Sequence, residues 1–190
     1  MRRCNALRMT LLAVFLIPLM PASLAAQEQS WLDGDLPSWN APGMAIPAAP
    51  AVGGNPDPRC AERERPAETA EDDALIAEGW RLFLPYQRGW EVTLIPGLAG
   101  YDGMCRPLGY QYFVFVDGVF AGTLAPEPMD SRTDGAADSV TLWFVDQLSA
   151  TFRRYTADDP LCCPSGGASV DYTIVTSGDD GPVVNPVPVS

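Results

Sequence analysis

The chain has 190 residues, with 24 acidic side chains against 12 arginines, no lysine and no histidine, for a net charge of −12. A surface of that sign repels polyanions, which excludes nucleic acid as a partner. The missing imidazole removes Ser-His-Asp and Cys-His machinery, histidine general bases and most zinc sites. No cofactor and no metal centre is expected.

Residues 1–26 have the three parts of a secretory signal peptide. Arg2, Arg3 and Arg8 form a basic start, Leu11 to Met20 an apolar run, and Ser23-Leu24-Ala25-Ala26 a small-residue cleavage site. The apolar run is shorter than the ~20 residues that a spanning helix needs, so no transmembrane helix is expected. Cleavage is expected at Ala26 or Gln27, leaving nine arginines against 24 acids, net −15. Cys4 leaves with the signal, and Cys60, Cys105, Cys162 and Cys163 remain. An even number of cysteines in an oxidising compartment reads as disulfides before metal ligation or thiol catalysis. Adjacent cysteines on extended backbone point to opposite sides. The expectation is therefore that Cys162 and Cys163 each bond outward, to Cys60 and Cys105 in either order.

Residues 27–66 are rich in Pro, Ala, Gly and acid, and hold too little apolar surface for a core of their own. They read as a flexible N-terminal arm. Trp31 and Trp39 are its aromatic part, and they count as candidate binding residues because exposed tryptophan is costly unless it packs on the domain or on a partner. Residues 67–176 read as an α+β domain: a small, mainly antiparallel β-sheet structure with one or two helices, stapled by disulfides. Its helix is Glu68 to Glu78, with Thr69 as cap, acids at the start and Gly79 past the end. The period then changes to two: Trp80, Leu82 and Leu84, a turn over Pro85 to Gly89, then Trp90, Val92 and Leu94, two antiparallel strands. Tyr110 to Val116 and Val119 to Leu124 flank an Asp117-Gly118 turn, a buried hairpin in which Phe115 faces Phe120 and Phe113 faces Gly122. Strands are expected over Val140 to Val145, Ala150 to Thr156 and Val170 to Ile174, the last two pairing across the double-cysteine loop. Residues 177–190 read as a flexible tail.

Asp130-Ser131-Arg132-Thr133-Asp134-Gly135 has acids at positions one and five and glycine at six of a calcium loop. Arg132 stands at the third position and Thr141 where the bidentate glutamate would be, so the reading is an aspartate-rich turn. Asp130, Arg132 and Asp134 are kept as candidate binding residues. Asp158 and Asp159 are expected to shape the turn before Pro160. One of Arg153 and Arg154 is expected to pair with an aspartate of the loop that follows. No catalytic residue is assigned. A Cys162-Cys163 redox pair is the weaker reading of those thiols, for want of a Cys-x-x-Cys context or a neighbouring cation.

The residues Tyr101-Asp102-Gly103-Met104-Cys105-Arg106-Pro107, the hairpin FVFVDGVFAGTL from Phe113 to Leu124, Met129 to Gly135, and Arg154-Tyr155 running into DPLCCPS together resemble the bacterial LppP/LprE-type lipoprotein family. The resemblance covers roughly the last two-thirds of the mature chain. It implies an exported envelope protein without established catalytic residues. Gln27 follows Leu24-Ala25-Ala26 where a lipoprotein would carry its lipid-accepting cysteine, so the expectation is a soluble periplasmic or secreted protein without a lipid anchor. The function read from the sequence is a noncatalytic binding or structural module, taking an envelope protein or cell-wall partner through the Trp31 to Met44 arm or the face around Asp130 to Asp134. A carboxylate-dependent hydrolase and a thiol redox sensor are the alternatives. Oligomeric state leaves no mark on the sequence.

Overall fold

A computed structural model describes residues 30–53, 57–144, 146–176 and 180–187. The expected signal peptide and its expected cleavage site lie outside the described residues, as does Val145 at the end of one expected strand.

The described chain is mostly antiparallel β-sheet with few helices. A short 3-10 helix spans Pro58–Arg63, and helix α1 spans Ala70–Ala77. Thr69 caps α1 by accepting from the Asp72 amide at 3.2 Å, and Glu71, Asp72 and Asp73 sit at its positive end. Gly79, at φ +88°, lets the chain leave α1 in the left-handed region. Eleven strands follow among the described residues: β1 Arg81–Leu82, β2 Gln87–Gly89, β3 Val92–Leu98, β4 Gly100–Tyr101, β5 Pro107–Leu108, β6 Gln111–Val116, β7 Val119–Thr123, β8 Ala137–Phe144, β9 Gln147–Arg154, β10 Gly166–Val175 and β11 Val183–Pro186. They make one sheet of order β1-β3-β6-β7 with β2 beside β3, a second of order β11-β10-β9-β8, and a short β4-β5 pair.

Period-two alternation in β3 and β6 sets the layers. Val92, Leu94, Leu98, Val114 and Val116 face one way and share a core with Leu148, Phe152, Val170 and Tyr172 of the second sheet. Ile95, Phe113 and Phe115 face the other way, under Leu75 of α1, Trp80 and Leu82. Because both faces of β3 and β6 are covered, every residue of both strands is buried.

Several sequence expectations hold. The helix, its Thr69 cap, the Asp117-Gly118 hairpin with Phe115 opposite Phe120, and the β9-β10 pair across the double-cysteine loop are all present. Others need correction. Phe113 faces Thr123, and Gly122 faces Val114, because Ala121 is an extra residue that bulges β7. The expected turn at Pro85 to Gly89 contains β2, and Trp90 is 74% exposed at φ +52° instead of continuing the buried alternation. The segment 177–190 was expected to be a tail, yet β11 pairs with β10 from Val183↔Val175 to Pro186↔Tyr172, since Val183 and Val184 have apolar surface to bury.

The expected sulfur connectivity is also overturned. Cys60, 1% exposed, bonds to Cys105 with their Cα atoms 5.0 Å apart, and Cys162 bonds to its neighbour Cys163. The 3-10 turn holds Cys60 in the core against the loop that carries Cys105, and neither Cys60 nor Cys105 remains free for the double-cysteine loop. Closing a separation of 45 residues restricts the unfolded chain by about 4 kcal/mol in the loop-entropy account.

Candidate binding site

The arm that precedes the first sheet packs its tryptophans on the second sheet and hydrogen-bonds to β7 of the first. Ser30 and Asp33 close a small turn, the Asp33 amide donating to the Ser30 carbonyl and the Ser30 amide to Asp33 Oδ2, both at 3.0 Å. That turn presents Trp31, whose ring meets Phe152 of β9 edge to face at 4.8 Å between centroids and Trp39 at 5.5 Å. Gly135 is needed beneath it, since a Cβ there would lie 2.6 Å from Trp31 Nε1, and its φ is +78°. Trp39 meets Tyr172 at 6.4 Å and donates from Nε1 to the Thr123 carbonyl at 3.0 Å.

Asn40 fixes the arm. It is 7% exposed; its Nδ2 donates to the carbonyls of Thr123 (2.9 Å) and Val184 (2.8 Å), and its Oδ1 accepts from the Thr123 amide (2.9 Å). One carboxamide thereby joins β7 of the first sheet to β11 of the second. It lies over Gly122, φ +133°, where any Cβ would overlap it. The expectation of a flexible arm over 27–66 is thus corrected for this segment, because two indole rings and a buried amide outweigh its Pro- and Ala-rich composition.

Between the arm and the body lies a groove of about 400 Å³, walled by Trp31, Leu36, Pro37, Trp39 and Pro126 with Asp35 at its edge. Its lining is mainly apolar, with the exposed Asp35 carboxylate in it, while nearby Asp33 is held in an ion pair. Arg154 stands beside it and joins the two regions singled out in the sequence: its Nη2 pairs with Asp33 of the arm and its Nε with Asp134 at 3.1 Å. Asp134 Oδ1 also accepts from the Tyr155 amide at 2.6 Å. Burial acts to raise the Asp134 pKa, and the nearby Ser30 side chain, the Tyr155 amide and Arg154 outweigh it, leaving the carboxyl below its ordinary range.

Of the candidate residues, Trp31, Trp39 and Asp134 come together here. Asp130 is turned elsewhere, accepting from the Gly109 amide at 2.7 Å, and Arg132 sits at φ +68° in the turn between them. Among the described residues no cluster of three or more acids or cysteines forms that would hold a metal ion. Arg153 pairs with Asp138, and Arg154 with Asp33 and Asp134, so neither takes an aspartate of the following loop as expected. Asn40 and Pro126 were not singled out from the sequence. The only signal for Asn40 was its place beside Trp39.

Several carboxylates elsewhere in the structure are held by arginines or by hydrogen-bond donors. Arg65 donates to both oxygens of Asp72, whose side chain has no exposed surface. Asp159 in the double-cysteine loop accepts from the amides of Thr156 and Ser165 and from the Ser165 hydroxyl, which pull it down to about 2. Asp57, Asp72 and Asp102 are likewise lowered. Each shifted carboxyl among the described residues is therefore held as the anion.

Searches of curated proteins and of solved structures gave no match. The family model described as LppP/LprE lipoprotein matches residues 93–177, from β3 to just past β10, a span that holds the hairpin, the Asp130 to Asp134 turn and the double-cysteine loop but not the arm. Over that span the resemblance noted from the sequence is established: residues 93–177 are similar to the LppP/LprE lipoproteins.

Proposed function

We propose that this chain is a noncatalytic binding module of the cell envelope that takes a segment of another protein in the groove between the arm and the body. The observation that carries the reading is the groove itself: apolar walls from Trp31, Trp39, Leu36 and Pro126, with the exposed carboxylate of Asp35 in its lining, on a chain of net charge −12. Such a surface selects an apolar side chain next to a positive charge. The family match and the Cys60–Cys105 bridge support an envelope location. The shifted carboxyls favour a module over a hydrolase, because a general acid needs its pKa raised and these are lowered.

The test is affinity capture from an envelope extract of the source cell with the wild-type chain and with Asp35→Arg, a change at an exposed position. A partner retained by the wild type, released by salt and lost with Asp35→Arg is the expected result. Identical capture by both chains would overturn the assignment of the groove.

A further inference from the structure

The loop from Tyr155 to Ser165 is held by a network of hydrogen bonds that involves no sulfur atom. Its ends are tied by the Arg154↔Gly166 pair of β9 and β10, and its root by the Tyr155 amide on Asp134. Inside it, Asp159 Oδ2 accepts from Thr156 N at 2.7 Å, from Ser165 N at 3.0 Å and from Ser165 Oγ at 2.9 Å. The Asp159 amide donates to the Thr156 carbonyl, the Cys163 amide to the Pro160 carbonyl at 2.9 Å, and the Tyr155 hydroxyl to the Leu161 carbonyl.

A bond between Cys162 and Cys163 joins sequence neighbours, so it closes no chain loop and adds no restriction of the kind that Cys60–Cys105 supplies. The two pairs also differ in access. Cys60 is buried in the core and Cys105 is half-buried, whereas Cys162 and Cys163 are both exposed beside Leu161, itself 70% exposed.

From this contrast we infer that Cys162 and Cys163 form a thiol–disulfide exchange site for an external dithiol, while Cys60–Cys105 is the structural bridge. An incoming thiolate attacks one of the two exposed sulfurs and forms a mixed disulfide, and the other leaves as a thiolate. The second thiol of the donor then attacks the mixed disulfide. The donor ends as its disulfide and Cys162 and Cys163 as a dithiol, two electrons and two protons having passed from one to the other. None of the hydrogen bonds of Asp159 involves a sulfur, so the loop is expected to keep its form on reduction and to present both thiols side by side. This site is independent of the groove.

The experiment treats the full mature chain with graded dithiothreitol, quenches with a maleimide and maps the labelled cysteines by peptide mass. Cys162 and Cys163 should label on the order of tenfold faster than Cys60 and Cys105, with far-ultraviolet circular dichroism and the Thr156 amide resonance unchanged. The reduced chain should bind one equivalent of phenylarsine oxide, and Cys162→Ser/Cys163→Ser should not. Labelling of Cys60 and Cys105 at the same rate or faster would overturn the inference. So would loss of the loop's resonances on reduction, which would make the pair structural.

Discussion

Asn40→Ala tests whether the arm is part of the fold. The substitution removes three hydrogen bonds from a position that is 7% exposed. The Thr123 carbonyl keeps the indole of Trp39, but the Thr123 amide and the Val184 carbonyl lose their Asn40 partner. Leaving a buried donor or acceptor unpaired costs about 1–3 kcal/mol each, so the pair sums to roughly 2–6 kcal/mol. With a urea m-value of about 1–3 kcal/mol/M for a chain of this size, the midpoint should fall by on the order of 1 M or more, without a change in slope. Asn40→Asp is isosteric yet should cost at least as much at neutral pH, since a carboxylate would then face the Thr123 and Val184 carbonyl oxygens. A shift below about 0.5 kcal/mol for Asn40→Ala, the range of ordinary surface changes, would refute the claim that this carboxamide joins β7 to β11.

Arg65→Ala should destabilise the protein by about 3–5 kcal/mol at pH 7, because it leaves the Asp72 carboxylate buried without its cation. Burial raises the Asp72 pKa, and Arg65 with the Glu68 amide more than offsets it. A lowered folded value means that the contribution is complete above the unfolded aspartate pKa and lost as pH falls through the depressed one. The cost of the substitution, read by urea unfolding, should therefore shrink towards pH 3. The reverse sign applies to Tyr110 and Tyr172, whose hydroxyls burial pushes up while they donate to the carbonyls of Ala137 and Leu124. Their contribution is complete below the ordinary tyrosine pKa of about 10 and is lost as pH rises; absorbance near 295 nm should show them ionising only with unfolding. For Asp159, a carbon-detected NMR titration should find a midpoint at about 2, with the Thr156 and Ser165 amides shifting in step. Their hydrogen bonds to the carboxylate would be present above the ordinary aspartate value and lost as the pH falls through about 2.

What the sequence made legible was whatever depends on neighbours along the chain. The Thr69 cap, the Asp117-Gly118 turn and the alternation in β6 are written within a few residues of where they act. The bulge at Ala121 was hidden, since the residue that packs against it is Asn40, about eighty residues earlier, whose side chain occupies the space above Gly122. The sulfur pairing failed for a related reason. Which cysteines can meet is set by the 3-10 turn that brings Cys60 to Cys105, and the extended geometry assumed for Cys162 and Cys163 does not hold in a loop bent around Asp159. Trp31 and Trp39 were picked out by type, but their role as a lid on Phe152 and Tyr172 required the second sheet to be in place.

The three-layer arrangement sets apart what is similar in sequence from what can stand alone. The matched span 93–177 holds Phe113, Phe115 and Phe120 on one side and Phe152 and Tyr172 on the other, while Leu75, Trp80, Leu82, Trp31 and Trp39, which shield them, all precede it. A fragment cut at those borders would bare Phe113, Phe115 and Phe120 to water and strip the two indoles from Phe152 and Tyr172. The least chain that keeps itself dry reaches back to Trp31 and forward to β11.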